Sequence, residues 1–566
     1  MSKRAIKKVA VLGSGVMGSR IACHFAGIGV QVLLLDIVPK DVAADATPIA
    51  IGAVERNKIV NDALTAAIKS NPSPVYHKDV VKKINTGNFE DNMKDIAGCD
   101  WVIEVVVERL DIKQKVFEQV EKYRKPGTLI TSNTSGIPIH MMAEGRSDDF
   151  KKHFCGTHFF NPPRYLRLLE IIPTPHTDPT IVDFLMNYGD LYLGKTTVLC
   201  KDTPAFIANR VGVFGMMAIM NVKEKLKLSI DEIDALTGPI IGRPKSATFR
   251  TGDVVGLDTL VKVAKGVADN CPNDEAKDKF NIPAWLDKMI ANNWLGDKTG
   301  QGFFKKTKGA GGGKEILTLN LDTMEYGPRV KPKFATLEAA KPIDDLYTRL
   351  KMLVAGQDKA GEFYRMFHYG LFSYISHRIP EISDELYRVD DAMMAGFGWE
   401  IGAFESWDVL GVEKTVNAMR DAGYAVAPWV DEMLSKGIKS FYKVENGIRL
   451  YYSPLSGSMI PPAGGGGAAF IVMSNYTDKQ IWKNGSCRLY DLGDDVLGLQ
   501  WFTKMGSIGG DVLTGIQTAI DKAEKNYKGL VIANEGSNFS AGANVGMIFM
   551  LAIDQEYDEL DMAIRM

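Results

Sequence analysis

The stretch KVAVLGSGVMGSRIACHFAGIGVQVLLLD, residues 8–36, holds two short apolar runs joined by a glycine turn and a helical segment. The first run, Lys8–Leu12, predicts a buried strand, and residues 19–27 have the spacing of an apolar helix face. The second run, residues 31–35, ends at Asp36. Strand, helix and strand in this order form the unit of a doubly wound parallel sheet, so we predict the α/β fold class.

The glycines of this turn have distinct physical uses. Gly13 permits a tight turn, Gly15 lets a pyrophosphate approach the backbone, and Gly18 lets the helix pack closely on the strand. Asp36 can accept hydrogen bonds from an adenosine ribose and would repel a 2′-phosphate. Glycines by themselves also occur in ordinary turns. Because the strand, the helix and the acid all lie where the motif requires them, the sequence predicts a dinucleotide site that favours NAD over NADP.

The composition limits the classes of protein to consider. At 566 residues the chain is too long for one core, and we expect about three or four domains. An apolar content of 45%, a charged content of 24% and a net charge of -2 describe a globular protein without the basic bias of a nucleic-acid-binding protein. Any anionic ligand must therefore be bound by a local group of residues.

Cysteines and apolar runs bear on the cellular compartment. The six cysteines are scattered without a CxxC pair, which argues against a structural zinc site or a disulfide framework, and we predict no bound metal. The basic N-terminus leads into an apolar run too short for a signal peptide. No run approaches the ~18 apolar residues of a membrane span. We therefore expect a cytoplasmic protein without a transmembrane segment, and import into an organelle stays open as the alternative.

Two further apolar runs end in polar residues. Residues 101–107 predict a buried strand that is followed by Glu108. Residues 128–131 predict another strand, which opens into SNTS and so into Ser135. Ligands of open parallel sheets bind beyond the carboxyl ends of strands, so Glu108 and Ser135 are expected beside a nicotinamide ribose or a substrate. SNTS by itself also fits a polar turn or a helix cap.

Residues 157–170, THFFNPPRYLRLLE, place one His and one Glu in a short apolar segment. Asn161 and the prolines after it stop the strand that reaches His158. Leu166–Ile172 then predicts a further strand carrying Glu170, so a hairpin-like return can bring the carboxylate beside the imidazole. A carboxylate partner fixes the tautomer of the ring, and the other ring nitrogen can act as a general base. The plainer alternative is a histidine at the end of a core strand.

The sheet domain is expected to end at KDTPAFIANR, residues 201–210, which opens a long apolar helix. Pro204 suits its first turn, and Asn209, predicted in the second turn, can be a packed structural amide or a ligand contact. The pattern stays helical to residue 305. The Gly-rich and Lys-rich residues 305–314 are typical of a solvated linker.

An internal repeat relates two helical parts of the chain. Phe249, Asp253, Val254 and Gly256 recur in the same order and spacing as Phe404, Asp408, Val409 and Gly411. We predict a duplicated all-helical unit whose copies bury their faces against each other. The second copy has GEFYRMFHYG where the first has the DTPAFIANR helix. It lacks the Asn, so we assign it a structural role.

The last part of the chain predicts a small segment of strands and helices. Residues 461–467, PPAGGGG, mark a second linker. Residues 486–491 and 496–503 alternate as a hairpin. GSNFSAGANVG, residues 536–546, is a small-residue loop whose backbone amides can bind an anion or oxyanion.

Seven motifs in a fixed order resemble those of the 3-hydroxyacyl-CoA dehydrogenases and extend to residue 305. They are GSGVMG, Asp36, VIEVVVERLDIKQKVF, SNTS, THFFNPPRYLRLLE, KDTPAFIANR and KTGQGFF. The resemblance implies an NAD-binding Rossmann domain followed by a helical domain. It also implies the oxidation of L-3-hydroxyacyl-CoA to 3-ketoacyl-CoA, a step of fatty-acid beta-oxidation.

The same resemblance implies residue roles by motif position. His158 resembles the catalytic base of the family, and Glu170 resembles its carboxylate partner. The residues that hold the substrate oxygen and the thioester region are matched by Ser135, Asn161 and Asn209. The residues that contact the cofactor are matched by Gly13, Gly15, Met17, Gly18, Asp36, Glu108, Lys113 and Lys298.

Residues 470–566 resemble the beginning of an enoyl-CoA hydratase (crotonase) domain. Ala543 matches a residue whose backbone amide is one of two oxyanion donors, and Asn544 stands where that family usually has Asp. The chain ends before any match to the second oxyanion glycine or the two catalytic glutamates, so we expect no hydratase activity. The apolar residues 545–553 would then lack a partner, and we expect this part to be poorly packed or self-associating.

The motifs and resemblances together predict a modular α/β protein of the long, multifunctional beta-oxidation type. It has a Rossmann doubly wound sheet domain, two all-helical domains from an internal duplication, and a partial crotonase-like α/β segment. The expected boundaries are 1–200 for the Rossmann domain, 201–305 and 341–445 for the helical domains, 306–340 and 446–469 for linkers, and 470–566 for the crotonase-like segment.

Two other functions compete with this prediction. A dehydrogenase of small free hydroxy acids would use a Lys base in the interdomain helix, and FIANRVGVF contains none. A degenerate acyl-CoA-binding scaffold would require His158 or Glu170 to be missing, and both are present. The expected partners are an acyl-CoA substrate, a thiolase or another beta-oxidation enzyme, and further copies of the chain in a homo-oligomer, without nucleic acid.

Overall fold

The computed structural model describes residues 4–40, 55–308, 313–445, 447–462, 472–535 and 538–565. It forms two compact units, one of residues 1–441 with 452–458 and the other of residues 442–451 with 459–566. Each unit contains strands and helices, in agreement with the predicted α/β class. The glycines 464–467, which were predicted to be part of a linker, lie outside the described residues.

An eight-stranded sheet occupies the first part of the larger unit. Its strands are β1 (Lys8–Leu12), β2 (Gln31–Asp36), β3 (Ile84–Asn88), β4 (Trp101–Glu104), β5 (Leu129–Ser132), β6 (Phe154–Phe159), β7 (Leu168–Pro173) and β8 (Thr196–Leu199). The connecting helices are α1 (Val16–Gly27), α2 (Lys58–Lys69), α3 (Leu110–Tyr123), α4 (Ile139–Met142), α5 (Asp148–Lys152) and α6 (Pro179–Leu191). The strand order is β3-β2-β1-β4-β5-β6-β7-β8, and neighbouring strands are parallel except for the antiparallel pair β6 and β7.

Apolar side chains on this sheet form the core that positions the site. The inner strands carry almost continuous apolar runs, as expected where helices cover both faces of a parallel sheet. Phe25 of α1 meets Trp101 of β4 edge-on, with 5.3 Å between ring centroids, and both are fully buried. The parallel register aligns Leu12 with Glu104 and Glu104 with Ser132. The polar residues after β1, β4 and β5 therefore meet at one edge of the sheet.

The first helical copy begins after β8. Its helices are α7 (Ala208–Leu226), α8 (Ile230–Thr237), α9 (Phe249–Val255), α10 (Leu257–Asn270) and α11 (Ala284–Ala291). The prediction that Pro204 occupies the first turn of α7 is wrong, because Ala205 and Phe206 have φ values of 64° and 50° and interrupt the right-handed helix. Asn209 consequently lies in the first turn of α7, not in the second.

The predictions of a solvated linker at residues 305–314 and of a wider linker at 306–340 are wrong for the part that the structure describes. An antiparallel sheet lies here, followed by a helix: β9 (Phe304–Lys308), β10 (Lys314–Asn320), β11 (Glu325–Pro328) and α12 (Ala335–Ala340). β9 is an edge strand in which Phe304 is buried whereas Lys306 and Lys308 are exposed. The lysines therefore belong to an edge strand, where charged side chains discourage pairing with another chain.

The two helical copies make equivalent contacts, as expected if the helical unit is duplicated. The second copy comprises α13 (Leu346–Ala355), α14 (Lys359–Arg378), α15 (Tyr387–Phe397), α16 (Ala403–Leu410), α17 (Val412–Asp421) and α18 (Pro428–Ser435). Asp253 of α9 accepts hydrogen bonds from the N–H groups of Phe303 and Phe304 at 2.8 and 2.9 Å. The matching Asp408 of α16 accepts from the N–H of Phe441 at 2.7 Å. In each copy the repeated aspartate thus holds the segment that follows the helices.

The predicted linker at 446–469 also contains regular structure. Three short strands lie around it, β12 (Tyr442–Glu445), β13 (Ile448–Ser453) and β14 (Ser458–Ile460). β12 and β13 pair in an antiparallel hairpin. The linker prediction is therefore wrong for the described residues 447–460, where the sequence IRLYYS has the β-branched and aromatic content of a strand.

The smaller unit contains a four-stranded sheet with the order β15-β16-β17-β19. Its elements are β15 (Gln480–Lys483), β16 (Cys487–Asp491), β17 (Val496–Trp501), β18 (Ser507–Ile508), α19 (Gly510–Asn526), β19 (Gly529–Ile532), β20 (Gly542–Ala543), α20 (Val545–Ile553) and α21 (Tyr557–Arg565). The predicted hairpin is the antiparallel pair β16 and β17. Val512 and Ala519 of α19 are completely buried in the core of this unit.

The apolar helix α20 lies exposed on the smaller unit, as predicted for residues 545–553. Val545, Phe549 and Ile553 are 71%, 62% and 56% exposed. Within the described ranges, no helix combines the length and the apolar character needed to cross a membrane.

Candidate active site

The glycine turn after β1 has the backbone that its sequence predicts. Gly13 has a φ of 105°, a conformation that glycine adopts at low cost, and its N–H donates to the carbonyl of Leu35 at 2.7 Å. A Cβ on Gly18 would lie 1.8 Å from the Gly13 carbonyl oxygen, so only glycine lets α1 come this close. A Cβ on Gly15 would meet nothing within 4 Å. The space beside Gly15 is therefore open to a ligand.

Backbone N–H groups and one carboxylate surround this turn. α1 begins without a side-chain cap and without an acidic residue in its first turn, so its N-terminal N–H groups can bind an anion. Met17 of the same turn packs against the sheet core. Asp36 accepts from the N–H and the hydroxyl of Ser14, at 2.6 and 2.5 Å. These residues fit a dinucleotide whose pyrophosphate lies at the start of α1 and whose ribose lies beside Asp36.

A buried ion pair lies between β4 and α3. The Lys113 ammonium donates to both carboxylate oxygens of Glu104, at 2.8 and 3.0 Å, and neither side chain is more than 1% exposed. Glu104 also accepts from the Ser132 hydroxyl at 2.5 Å. Burial raises the pKa of the Glu104 carboxyl above its usual value, against the opposing charge of Lys113. Lys113, expected as a cofactor contact, is thus bound by carboxylates of the protein.

We predict that Lys113→Met destabilises the protein by about 3–5 kcal/mol at neutral pH, because the Glu104 carboxylate would stay buried without its counter-charge. A folded-state pKa above the unfolded value means that the stability contribution of Glu104 falls as the pH rises. Removing Lys113 raises that pKa further, so the loss of stability should shrink in acid. Urea unfolding at neutral and at mildly acidic pH measures both effects. Lys115→Met, on the exposed side of α3, is the matched control, and equal losses in the two variants would contradict the prediction.

Glu108 joins the loops that follow β4 and β5. Its Oε1 accepts from the Thr134 hydroxyl at 2.6 Å and from the Ser135 N–H at 2.9 Å, and its Oε2 lies 3.3 Å from Lys113 Nζ. Burial would raise the pKa of Glu108, but the charge of Lys113 and these hydrogen bonds outweigh burial, and the pKa is lowered. The structure thus brings Glu108 and Ser135 together, as their places at neighbouring strand ends predict.

His158 and Glu170 are direct partners across the antiparallel strands β6 and β7. They lie opposite each other in the register, and His158 Nδ1 is 2.7 Å from Glu170 Oε2. His158 is 6% exposed and Glu170 is fully buried. The hairpin-like return expected from the sequence is therefore present, and Nε2 of His158 is the ring nitrogen that can exchange a proton with a ligand.

The second oxygen of Glu170 is held by the start of α7. Oε1 accepts from the N–H groups of Ile207 and Ala208 at 3.1 and 2.8 Å. The N-terminus of a helix favours a negative charge at this place. The rings of Phe160 and Phe206 lie 4.6 and 5.8 Å from the His158 ring, centroid to centroid. The His–Glu pair is thus enclosed by apolar rings and anchored to the first helical copy.

The two asparagines expected to hold the substrate lie near this pair in the fold. Asn161 follows β6, is exposed, and accepts from the Arg20 guanidinium of α1 at 3.0 Å. Asn209 is half-buried in the first turn of α7, next to Ala208. Asn161 therefore follows the strand that carries His158, and Asn209 lies in the helix whose N-terminal N–H groups bind Glu170.

Lys298 and Ala543 lie elsewhere in the chain. The Lys298 ammonium pairs with Asp258 in the first helical copy, and its expected contact with the cofactor remains a prediction. Ala543 belongs to the smaller unit, where it is exposed and pairs with Ile508 in the parallel register of β18 and β20. Its expected role as an oxyanion donor likewise remains a prediction.

Sequence reasoning missed Glu104, Arg20 and the N–H groups at the start of α7. Glu104 was readable as the one acid inside the apolar run WVIEVVV, because an ionised side chain in a buried strand requires a partner. Arg20 has no comparable signal, since its contact with Asn161 joins residues far apart in the chain. The N–H groups of Ile207 and Ala208 lie at the start of α7, whose position depends on two residues of left-handed backbone that their residue types do not signal.

Two family models match successive parts of this chain. "3-hydroxyacyl-CoA dehydrogenase, NAD binding domain" matches residues 8–203, and "3-hydroxyacyl-CoA dehydrogenase, C-terminal domain" matches residues 206–306. The first model covers the eight-stranded sheet with its glycine turn, and the second covers the first helical copy. The cofactor of the chain is therefore NAD.

Relatives extend the similarity beyond these models. A Bacillus subtilis protein named "Probable 3-hydroxyacyl-CoA dehydrogenase" is 44% identical over 565 residues, which are 99% of this chain and 70% of the relative. A Rickettsia felis protein, described provisionally as a trifunctional enzyme of a fatty acid oxidation complex, is 30% identical over 99% of this chain and 72% of its own length. The crystal structure of 3-hydroxybutyryl-CoA dehydrogenase from Escherichia coli K12 matches the fold with a TM-score of 0.53 and 20% identity, over 77% of this chain and 100% of that chain. The chain belongs to the 3-hydroxyacyl-CoA dehydrogenase family.

Proposed function

We propose that this protein oxidises L-3-hydroxyacyl-CoA to 3-ketoacyl-CoA in fatty-acid beta-oxidation. The observation that carries the proposal is the buried His158–Glu170 pair at the sheet edge that also carries the glycine turn. A paired imidazole beside a dinucleotide site can remove the proton of a hydroxyl group. Family membership supports the thioester substrate, and the described trifunctional relative supports the place in fatty-acid oxidation.

His158 acts as the general base of the proposed reaction. Its Nε2 takes the proton of the substrate hydroxyl, and the electron pair of the O–H bond forms the carbonyl of the product. Bound NAD supplies the acceptor for the hydride that leaves C3. Glu170 accepts the hydrogen bond from Nδ1–H, keeps the ring in the productive tautomer and stabilises the imidazolium that forms.

Three polar residues are proposed to hold the substrate. Ser135 lies at the strand-end loop that Glu108 organises, Asn161 follows the strand of His158, and Asn209 lies in the helix turn that anchors Glu170. Such donors can bind the hydroxyl oxygen and the thioester region. Glu108 and Lys113 are proposed to shape the cofactor side of this loop, since their charges hold it together.

A dehydrogenase of small free hydroxy acids is the competing function. It would place a Lys base in the first turns of α7, and residues 208–214 contain no Lys. The base available beside that helix is His158, whose ring lies 5.8 Å from that of Phe206. A His base, together with the lack of a Lys base in this helix, favours the thioester substrate of the family over a small free hydroxy acid.

The test is NADH formation, followed by absorbance, with L-3-hydroxybutyryl-CoA as substrate. We expect kcat/KM for the thioester to exceed that for free 3-hydroxybutyrate by about 100-fold or more, because binding of the CoA portion contributes to transition-state stabilisation. NAD should be preferred to NADP because of Asp36. The D-thioester is the matched control. Equal rates with the free acid would contradict the proposed substrate class, and absence of turnover would contradict the activity.

A further inference from the structure

The turn that presents two N–H groups to Glu170 has an unfavourable backbone. Ala205 and Phe206 are consecutive non-glycine residues in the left-handed region, with φ values of 64° and 50°. L-residues avoid this conformation, and it persists only where the surroundings impose it. The N–H groups of Ile207 and Ala208 follow immediately and donate to Glu170. The strained turn therefore directs two donors at the proposed partner of His158.

Residues of the second helical copy hold this turn on its N-terminal side. The Lys201 N–H donates to the carbonyl of Ile382 at 3.0 Å. The Lys201 ammonium donates to the carbonyl of Pro380 at 2.7 Å and to the Asp384 carboxylate at 2.6 Å. All three partners lie in the loop between α14 and α15. The backbone of Lys201 is thus attached to the second copy four residues before the turn.

The C-terminal side of the turn is held by a buried charge network. Arg210 is fully buried, and its Nε donates to the Tyr374 hydroxyl of α14 at 2.6 Å. Its Nη2 donates to Asp274 at 2.6 Å and lies 2.9 Å from a carboxylate oxygen of Glu381. The Tyr374 hydroxyl in turn donates to Asp274 at 3.1 Å. One hydroxyl of the second copy therefore orients both members of a buried ion pair.

We propose that the second helical copy holds the 201–210 segment in its strained form, and that Tyr374 is a positioning residue for Glu170. The inference rests on the proposed function of His158 and Glu170. Without the two attachments, the backbone at Ala205 and Phe206 would relax toward right-handed geometry and turn the N–H groups of the next residues away from the carboxylate. The second copy, assigned only a structural role from its sequence, thereby supports the active site.

Tyr364 provides a matched comparison on the same helix. It is fully buried like Tyr374, and its hydroxyl also donates to the first copy, to the carbonyl of Leu236 at 2.8 Å. Its contact lies in α8 and not in the 201–210 segment. Loss of this hydroxyl costs a similar buried hydrogen bond without releasing the turn.

The experiment compares Tyr374→Phe and Tyr364→Phe in the full-length chain. For Tyr374→Phe we expect kcat with L-3-hydroxybutyryl-CoA to fall about tenfold at nearly unchanged KM, because a small displacement of the base pair slows the chemical step more than substrate binding. Hydrogen exchange measured on peptides spanning residues 201–210 should become about tenfold faster. Tyr364→Phe should change neither quantity more than about twofold. Asp384→Asn is the milder second variant if Tyr374→Phe does not fold, and the same directions are expected for it.

Different results would contradict the positioning role of Tyr374 and the proposed dehydrogenase activity. Equal kcat and equal exchange in the two tyrosine variants would overturn the positioning role, as would a lower unfolding midpoint for Tyr374→Phe with unchanged exchange in 201–210. No NADH formation by the parent would overturn the proposed function instead. In that case the exchange rates still decide whether the second copy holds the turn.

Discussion

Replacing His158 with Gln is expected to lower kcat for 3-hydroxyacyl-CoA oxidation by a factor of about 10²–10⁴, because the reaction loses its general base. Gln can still donate a hydrogen bond to Glu170, whose carboxylate lies 2.7 Å from the His158 ring nitrogen. The fold and the affinity for NAD should therefore be retained. Initial rates of NADH formation with saturating L-3-hydroxybutyryl-CoA measure the effect, and NAD titration checks binding.

His153→Gln is the control for this variant. His153 lies one residue before β6, and its Nδ1 is 2.8 Å from the carbonyl oxygen of Asp149, so the same substitution is made at the other end of the same strand. We expect its kcat to stay within about twofold of the parent, since it has no part in the proton transfer. A parental rate in His158→Gln would contradict the proposed chemistry. Equal losses in both variants would indicate damage to the sheet instead.

Replacing Glu170 with Gln is expected to lower kcat by about 10³, close to the loss of the base itself. The amide oxygen can still accept from the N–H groups of Ile207 and Ala208. The amide NH₂ would then face His158 Nδ1 and donate to it, which moves the ring proton to Nε2, the atom that must accept the substrate proton. The fold is preserved while the wrong tautomer is stabilised. The same NADH assay measures the loss.

The double variant His158→Gln/Glu170→Gln shows whether the two residues act as one unit. Residues of one catalytic unit are strongly non-additive, so the double variant should be no slower than His158→Gln within about threefold. Multiplication of the two single losses would mean that Glu170 acts apart from His158. That result would contradict the assigned role of Glu170 and leave the role of His158 intact.

Much of the site was predictable because it lies at strand ends. The glycine turn, Asp36, Glu108 and Ser135 each follow a recognisable apolar run, and parallel strands deliver such residues to one sheet edge. The contact between His158 and Glu170 was also predictable, because a strand that is stopped by proline and returns as a second strand places them opposite each other. Local sequence carries these features because they depend on strand direction and on short separations.

The first linker prediction was wrong because the amino-acid composition of an edge strand can resemble that of a linker. Residues 305–308 are rich in Lys, yet they belong to β9, an edge strand in which Lys306 and Lys308 are exposed. The start of α7 was misplaced for a related reason, because Pro204 marks a favourable first turn in isolation. Ala205 and Phe206 adopt left-handed backbone there, and no local preference predicts that for these residue types.

The family, its cofactor and the residues of the proposed proton-transfer pair follow from short motifs, since glycine geometry, strand ends and an acid beside a histidine are local properties of the chain. The anchoring of that pair is not local. Glu170 is held by N–H groups at the start of α7, and that turn is held by Lys201 and Arg210 through residues of the second helical copy, more than 150 positions away in the sequence. Contacts of this kind form only when the two copies pack, because a strained backbone and a buried arginine need partners that their own segment does not contain.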